Sequence, residues 1–76
     1  MNYLYHVSYV FYDSRGNLRP GCSCCERPQK ITTLSDYAGL VKRIKEDIIQ
    51  GSSPKSWYRD NLSVFIKNIQ LLYDPN

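Results

Sequence analysis

Residues 3 to 12 read Tyr3-Leu4-Tyr5-His6-Val7-Ser8-Tyr9-Val10-Phe11-Tyr12. The odd positions are all large and apolar or aromatic. The even positions, Leu4, His6, Ser8, Val10 and Tyr12, are a mixed set. Side chains alternate faces along a strand, so this pattern gives one core face and one half-greasy face. Tyr, Val and Phe also favour extended backbone. The stretch therefore reads as the central strand of a small sheet.

Working outward, Asp13-Ser14-Arg15-Gly16-Asn17 follows. Asp at the first turn position and Gly at the fourth suit a type I turn, with Gly16 at positive φ. A hairpin then returns along Leu18–Arg27. Pro20 cannot donate to a ladder, so this second strand is an edge strand or a bulged one. Thr33 and Asp36 form a helix-start signal, and Gly51 is a natural stop after Gln50. Leu34, Tyr37, Ala38, Val41, Ile44 and Ile48 follow the helical period and predict the buried stripe. Asp36, Gly39, Arg43, Glu46 and Gln50 lie opposite. Lys45 falls inside the stripe, either snorkelling along its stem or presented to a partner. Ser53 is placed to cap a single turn that begins at Pro54. The last strand is expected over Leu62–Tyr73. Its apolar phase changes beyond Asn68, which predicts a bulge near Lys67-Asn68.

The element order is strand, strand, helix, strand. A crossover through one helix leaves its two strands parallel, and the most hydrophobic strand belongs between them. The expectation is an α+β fold: a three-stranded antiparallel sheet in order 2-1-3 with one helix packed on one face. The whole chain, residues 1–76, is read as one domain. A chain of 76 residues buries only about 60% of the surface its unfolded form exposes, which leaves no room for a deep cleft between subdomains. Small domains gain stability by associating, so a homodimer or a protein partner is among the expectations.

The net charge of +3 weakly favours an acidic partner or nucleic acid and disfavours a mimic of DNA. No stretch reads as a membrane span or a secretory signal. Three clustered cysteines do not make a disulfide framework, and a reducing cytoplasm is their natural setting. No cofactor is expected.

Cys22-Ser23-Cys24-Cys25 is the one cluster that invites chemistry. Its spacing is too tight for a structural zinc site, and no second pair exists. His6 is the only histidine. Two hairpin registers are open. A two-residue turn sets His6 opposite Cys25. A Gly16 bulge sets it opposite Cys24, with Cys22 on the same face, where the three are weak candidates for an adventitious metal. Small buried or half-buried thiols are the plainer account of Cys22, Cys24 and Cys25. Acids are scattered, no glycine loop cradles phosphate, and a thiol nucleophile has only His6 as a base. No enzyme is expected.

The sheet face away from the helix has nothing in the chain to cover it. Leu4, His6, Ser8, Val10 and Tyr12 would lie there, either solvated or as a contact patch. Lys42, Arg43 and Lys45 form a basic helix surface. Trp57 and Tyr58 either plug one end of the core or form an exposed aromatic pair of the kind that dominates interfaces. The expected partner surface is the open face, namely Leu4, His6, Val10 and Tyr12, with adjoining basic residues and then the Trp57 loop. A sheet with exposed aromatics can also stack bases, but the aromatic-and-glycine signature of RNA-binding sheets is missing.

Val7-Ser8-Tyr9, the Ile31-to-Asp36 helix entry and Val64-Phe65-Ile66-Lys67-Asn68 resemble small phage- and prophage-encoded accessory proteins, some of which share this strand–strand–helix–strand plan. The Cys-Ser-Cys-Cys insert departs from that pattern. The resemblance implies an inhibitor that binds a host defence complex in the cytoplasm of a bacterial cell, without catalysis. Anti-CRISPR proteins acting on a CRISPR-Cas effector are the foremost kind. It carries over no catalytic residue and names no target. A small nucleic-acid-binding regulator is one alternative, and a metal- or redox-responsive cysteine module is another.

Overall fold

The computed structural model describes residues 2–76. Strand β1 spans Tyr3–Tyr12, β2 Leu18–Arg27, helix α1 Leu34–Gln50, α2 Lys55–Asn61 and β3 Val64–Tyr73. The sheet order is β2-β1-β3, with β1 antiparallel to both neighbours. The α+β fold predicted from the alternation in β1 is the one observed, with α2 as an added short helix.

The hairpin takes the register with the glycine bulge. Asp13 N–H donates to Asn17 O at 2.9 Å, and Gly16 N–H to Asp13 O at 3.0 Å. Gly16 sits at φ +80°, a conformation that favours glycine. The Asp13 carboxylate fixes the turn from inside. Its Oδ1 accepts the N–H groups of Arg15 and Asn17, and its Oδ2 accepts Arg19 Nε–H, each at 2.9 Å. Pairing then runs from Tyr12 opposite Leu18 to Tyr3 opposite Arg27, with His6 opposite Cys24. Pro20 lies on the outer strand, where its missing donor costs no ladder bond.

Helix α1 begins as its sequence dictates. Thr33 Oγ1 accepts Asp36 N–H at 3.2 Å, and the Asp36 carboxylate accepts the Thr33 and Thr32 N–H groups, each at 3.2 Å. This reciprocal cap contributes about 1 kcal/mol. Gly51 ends the helix at φ −94°, not in the left-handed region, and its N–H reaches back to the carbonyls of the last turn. Between β2 and α1, Tyr5 Oη accepts Ile31 N–H at 2.9 Å, which ties the helix entry to the central strand.

The core holds Tyr5, Val7 and Tyr9 from β1, Cys25 from β2, Leu40, Ile44 and Ile48 from α1, and Tyr58 and Leu62. The odd face of β1 is thus the core face. The helix stripe needs correction. The buried line is Leu40-Ile44-Ile48, whereas Leu34 is 87% exposed and Tyr37 39%. Ala38 is exposed too. The cause is α2, which brings Tyr58 and Leu62 into the core, so α1 is seated by two neighbours and not by the sheet alone. Tyr58 is accordingly not an exposed anchor. It is buried, and its hydroxyl accepts Ser14 N–H at 3.1 Å. Pro54, not Ser53, is the residue before α2, and it makes no side-chain cap.

Strand β3 starts at Val64, two residues after Leu62. The predicted bulge is present: Ser8 pairs with Asn68 but Tyr9 with Ile66, leaving Lys67 as the extra residue. A second irregularity leaves Leu72 unpaired between Tyr5–Leu71 and Leu4–Tyr73. It moves Tyr73 from the core-facing phase of Ile69 and Leu71 to the face of Leu4.

Candidate functional site: the open sheet face

Residues directly opposite across a ladder share a face. The even residues of β1 therefore carry Glu26, Cys24, Cys22, Pro20 and Leu18 of β2 beside them, and Tyr73, Gln70, Asn68 and Phe65 of β3. The middle of this face is polar: His6, Ser8, Cys22, Cys24, Asn68 and Gln70. One end is apolar, formed by Val10, Tyr12, Leu18, Pro20 and Phe65. Tyr12 is 47% exposed, Leu18 54% and Phe65 52%. The Tyr12 and Phe65 rings meet edge to face, with centroids 6.3 Å apart and planes at 90°. That pairing favours a fixed arrangement in both rings. Leu4 and Tyr73 make a smaller apolar spot at the opposite end.

Of the residues predicted for partner contact, Leu4, His6, Val10 and Tyr12 share this face. Lys42, Arg43 and Lys45 do not adjoin it. They belong to α1, and the sheet stands between them and the open face. Arg43 Nε lies 3.4 Å from Asp47 Oδ1, whereas Lys42 and Lys45 make no ion pair among the described residues. Trp57 is half-buried against the core and edge-on to Tyr58, with centroids 5.0 Å apart. Phe65, Leu18, Pro20 and Tyr73 were absent from the sequence-based set. Phe65 was within reach of the alternation Val64-Phe65-Ile66, which turns it away from the core. Tyr73 was not, because the Leu72 irregularity inverts its phase.

The cysteines divide. Cys22 and Cys24 are exposed on the open face, and Cys25 is buried opposite Tyr5 with its thiol donating to Ser23 Oγ at 3.6 Å. Among the described residues no group of three or more His, Cys, Asp or Glu side chains is placed to hold a metal ion, although His6 lies opposite Cys24. Burial, aided by neighbouring Cys22, Asp47 and Cys25, pushes the Tyr9 phenol above its ordinary value. Tyr9 therefore stays a neutral core residue at ordinary pH. Among the described residues no helix is long and apolar enough to cross a membrane.

No protein-family model, curated protein or solved structure matches the chain.

Proposed function

We propose that this chain is a non-catalytic binding protein that docks through the Tyr12 end of its open sheet face onto a partner protein. The single observation behind this reading is the exposed cluster of Tyr12, Leu18 and Phe65 around half-buried Val10. Large side chains held rigidly at a surface bury much area at little entropic cost, and so supply most of the energy of an interface. The resemblance to phage accessory proteins gives the partner its class: a host defence complex, foremost a CRISPR-Cas effector, blocked by occupation of a working surface.

The test uses bacterial strains carrying different types of active CRISPR-Cas system and a phage that each system targets. Expression of the chain should restore plaques in at least one strain. Tyr12→Glu and Phe65→Glu, checked for an unchanged circular dichroism melt, should not. Failure of the parent chain in every strain sinks the anti-CRISPR reading. Folded variants as active as the parent remove the contact from this face. Salt-sensitive binding of DNA or RNA by the purified chain would put the nucleic-acid regulator first.

A further inference from the structure

Leu34, Tyr37, Ala38 and Val41, which the sequence pattern assigns to the core, lie on the outer flank of α1, with only Val41 half-buried. They fall in two rows of residues four apart, Leu34-Ala38-Lys42 and Tyr37-Val41-Lys45. Such rows are the ridges of a helix surface, and the space between two ridges receives a ridge of another helix. Here that space is a groove of about 440 Å³ lined by Tyr37, Ala38, Val41, Lys42 and Lys45. Ala38 is its smallest lining residue and deepens it. Both rows are apolar at first and reach lysine at the end of the groove, beyond which the first continues to Glu46 and the second to Ile49.

The charges decide what fits. Lys42 and Lys45 have no carboxylate within ion-pair distance among the described residues. A second copy seated with its apolar residues on these would set its lysines against apolar groups in the antiparallel sense and against Lys42 and Lys45 in the parallel sense, and its Glu46, one turn beyond the groove, would reach neither lysine. Nucleic acid would satisfy the lysines and leave Tyr37, Ala38 and Val41 against phosphate and sugar. An amphipathic helix with an apolar ridge ending in Glu or Asp satisfies both halves of the groove.

We propose that this groove is a docking site for an acidic amphipathic helix of a partner protein. The site is separate from the open face, with the sheet between them, so the chain can hold two partners at once.

The probe is a synthetic helical peptide of about 18 residues, above the length at which isolated helices are marginal, with a leucine ridge flanked by glutamates. Titrated into isotope-labelled protein, it should shift the backbone amides of residues 34–45 and leave those of Val10, Tyr12 and Phe65 unmoved. Lys42→Glu with Lys45→Glu should weaken binding by about tenfold or more. Ala38→Gln, on an exposed helix position, should do the same by filling the groove. A peptide with lysine in place of glutamate should not bind. The proposal is overturned if the acidic peptide does not bind by about 1 mM, if the shifts fall on the sheet face, or if the double variant binds as well as the parent. A concentration-dependent dimer abolished by Ala38→Gln would assign the groove to a second copy. Shifts of the same amides by a DNA or RNA oligonucleotide but not by the peptide would assign it to nucleic acid. Either result overturns the acidic helix. Loss of peptide binding leaves the plaque assay with Tyr12→Glu unaffected, so the two surfaces are tested separately.

Discussion

The hydroxyl of Tyr58 accepts the backbone N–H of Ser14 at 3.1 Å, linking α2 to the hairpin turn across 44 residues of sequence. Tyr58 is buried, and Ser14 stands at the start of the loop that sets the β1–β2 register. Tyr58→Phe keeps the ring and removes the acceptor. It should cost about 1 kcal/mol and speed hydrogen exchange at the Ser14 amide while the core amides of Val7 and Ile44 change only by the global loss. Unchanged exchange at Ser14 would mean that the bond does not hold the turn.

The seating of α1 makes a second prediction. Leu40 is fully buried and Leu34 is 87% exposed, although the helical period places Leu34 in the stripe and omits Leu40. Leu40→Ala should destabilise by about 2–5 kcal/mol, and Leu34→Ala should change stability by less than about 0.5 kcal/mol. Denaturant melts of the two variants give both values. The reverse order would restore the stripe of the sequence pattern and close the groove on α1.

What the sequence revealed follows from how local each cause is. The alternation of Tyr3–Tyr12 fixes a face with no outside information, and the Thr33–Asp36 cap needs only four residues. The turn Asp13–Asn17 admits two registers, and the positive φ of Gly16 with the Asp13–Asn17 bond selects one of them. The rotation of α1 was not legible because Tyr58 of α2 and Leu62 just after it help set it, and the periodicity of α1 itself carries no trace of their burial. Tyr58 itself misled because a Tyr beside a Trp looks the same whether its hydroxyl meets water or a buried N–H. At the open face, Val10 and Tyr12 were readable from alternation. Tyr73 was not, because an unpaired Leu72 reverses its phase.

Gly21 and Tyr9 are opposite each other, and the Tyr9 ring covers the place where a side chain would stand. A Cβ on Gly21 would lie 2.5 Å from Tyr9 Cε1 and 2.6 Å from its Cζ. Tyr9 is 8% exposed, so its ring has little room to yield. Gly21→Ala should therefore cost about 1–3 kcal/mol by overpacking. The same substitution in a Tyr9→Leu background should cost less, and a double-mutant cycle measures the difference. Equal costs in both backgrounds would locate the glycine requirement in the backbone instead.

Acid should loosen the hairpin turn. The backbone N–H of Asn17, then the Arg19 guanidinium, with a further N–H from Arg15, hold the Asp13 carboxyl below its ordinary value despite some desolvation. Asp36 is lowered by the Thr32 N–H, then by the Thr33 hydroxyl. For a depressed carboxyl the unfolded state binds more protons at low pH. Its contribution is thus complete above the unfolded value of about 3.9 and is lost as pH falls through the lower native value. The melting temperature of the parent should drop between about pH 5 and about pH 2.5 more steeply than that of Asp13→Asn, which starts lower and has one fewer carboxyl to protonate. Parallel curves would show that Asp13 titrates alike in both states.

The thiols should separate by face. Cys22 and Cys24 are exposed on the outer strand, while Cys25 is 1% exposed beneath the helix. A disulfide exchange reagent reaches a thiolate only where solvent reaches the sulfur. Two thiols should react quickly in the native protein, and Cys25 only at a rate set by opening of the fold, rising with denaturant. Cys25→Ser should leave the fast amplitude intact and Cys22→Ser should halve it. An equimolar zinc salt should not slow the fast phase, because no third ligand stands with His6 and Cys24 among the described residues. Three fast thiols would place Cys25 outside the core and undo the hairpin register that sets it opposite Tyr5. Protection of Cys22 and Cys24 by zinc would instead reveal a metal site on the polar middle of the open face and bring the metal-responsive reading forward.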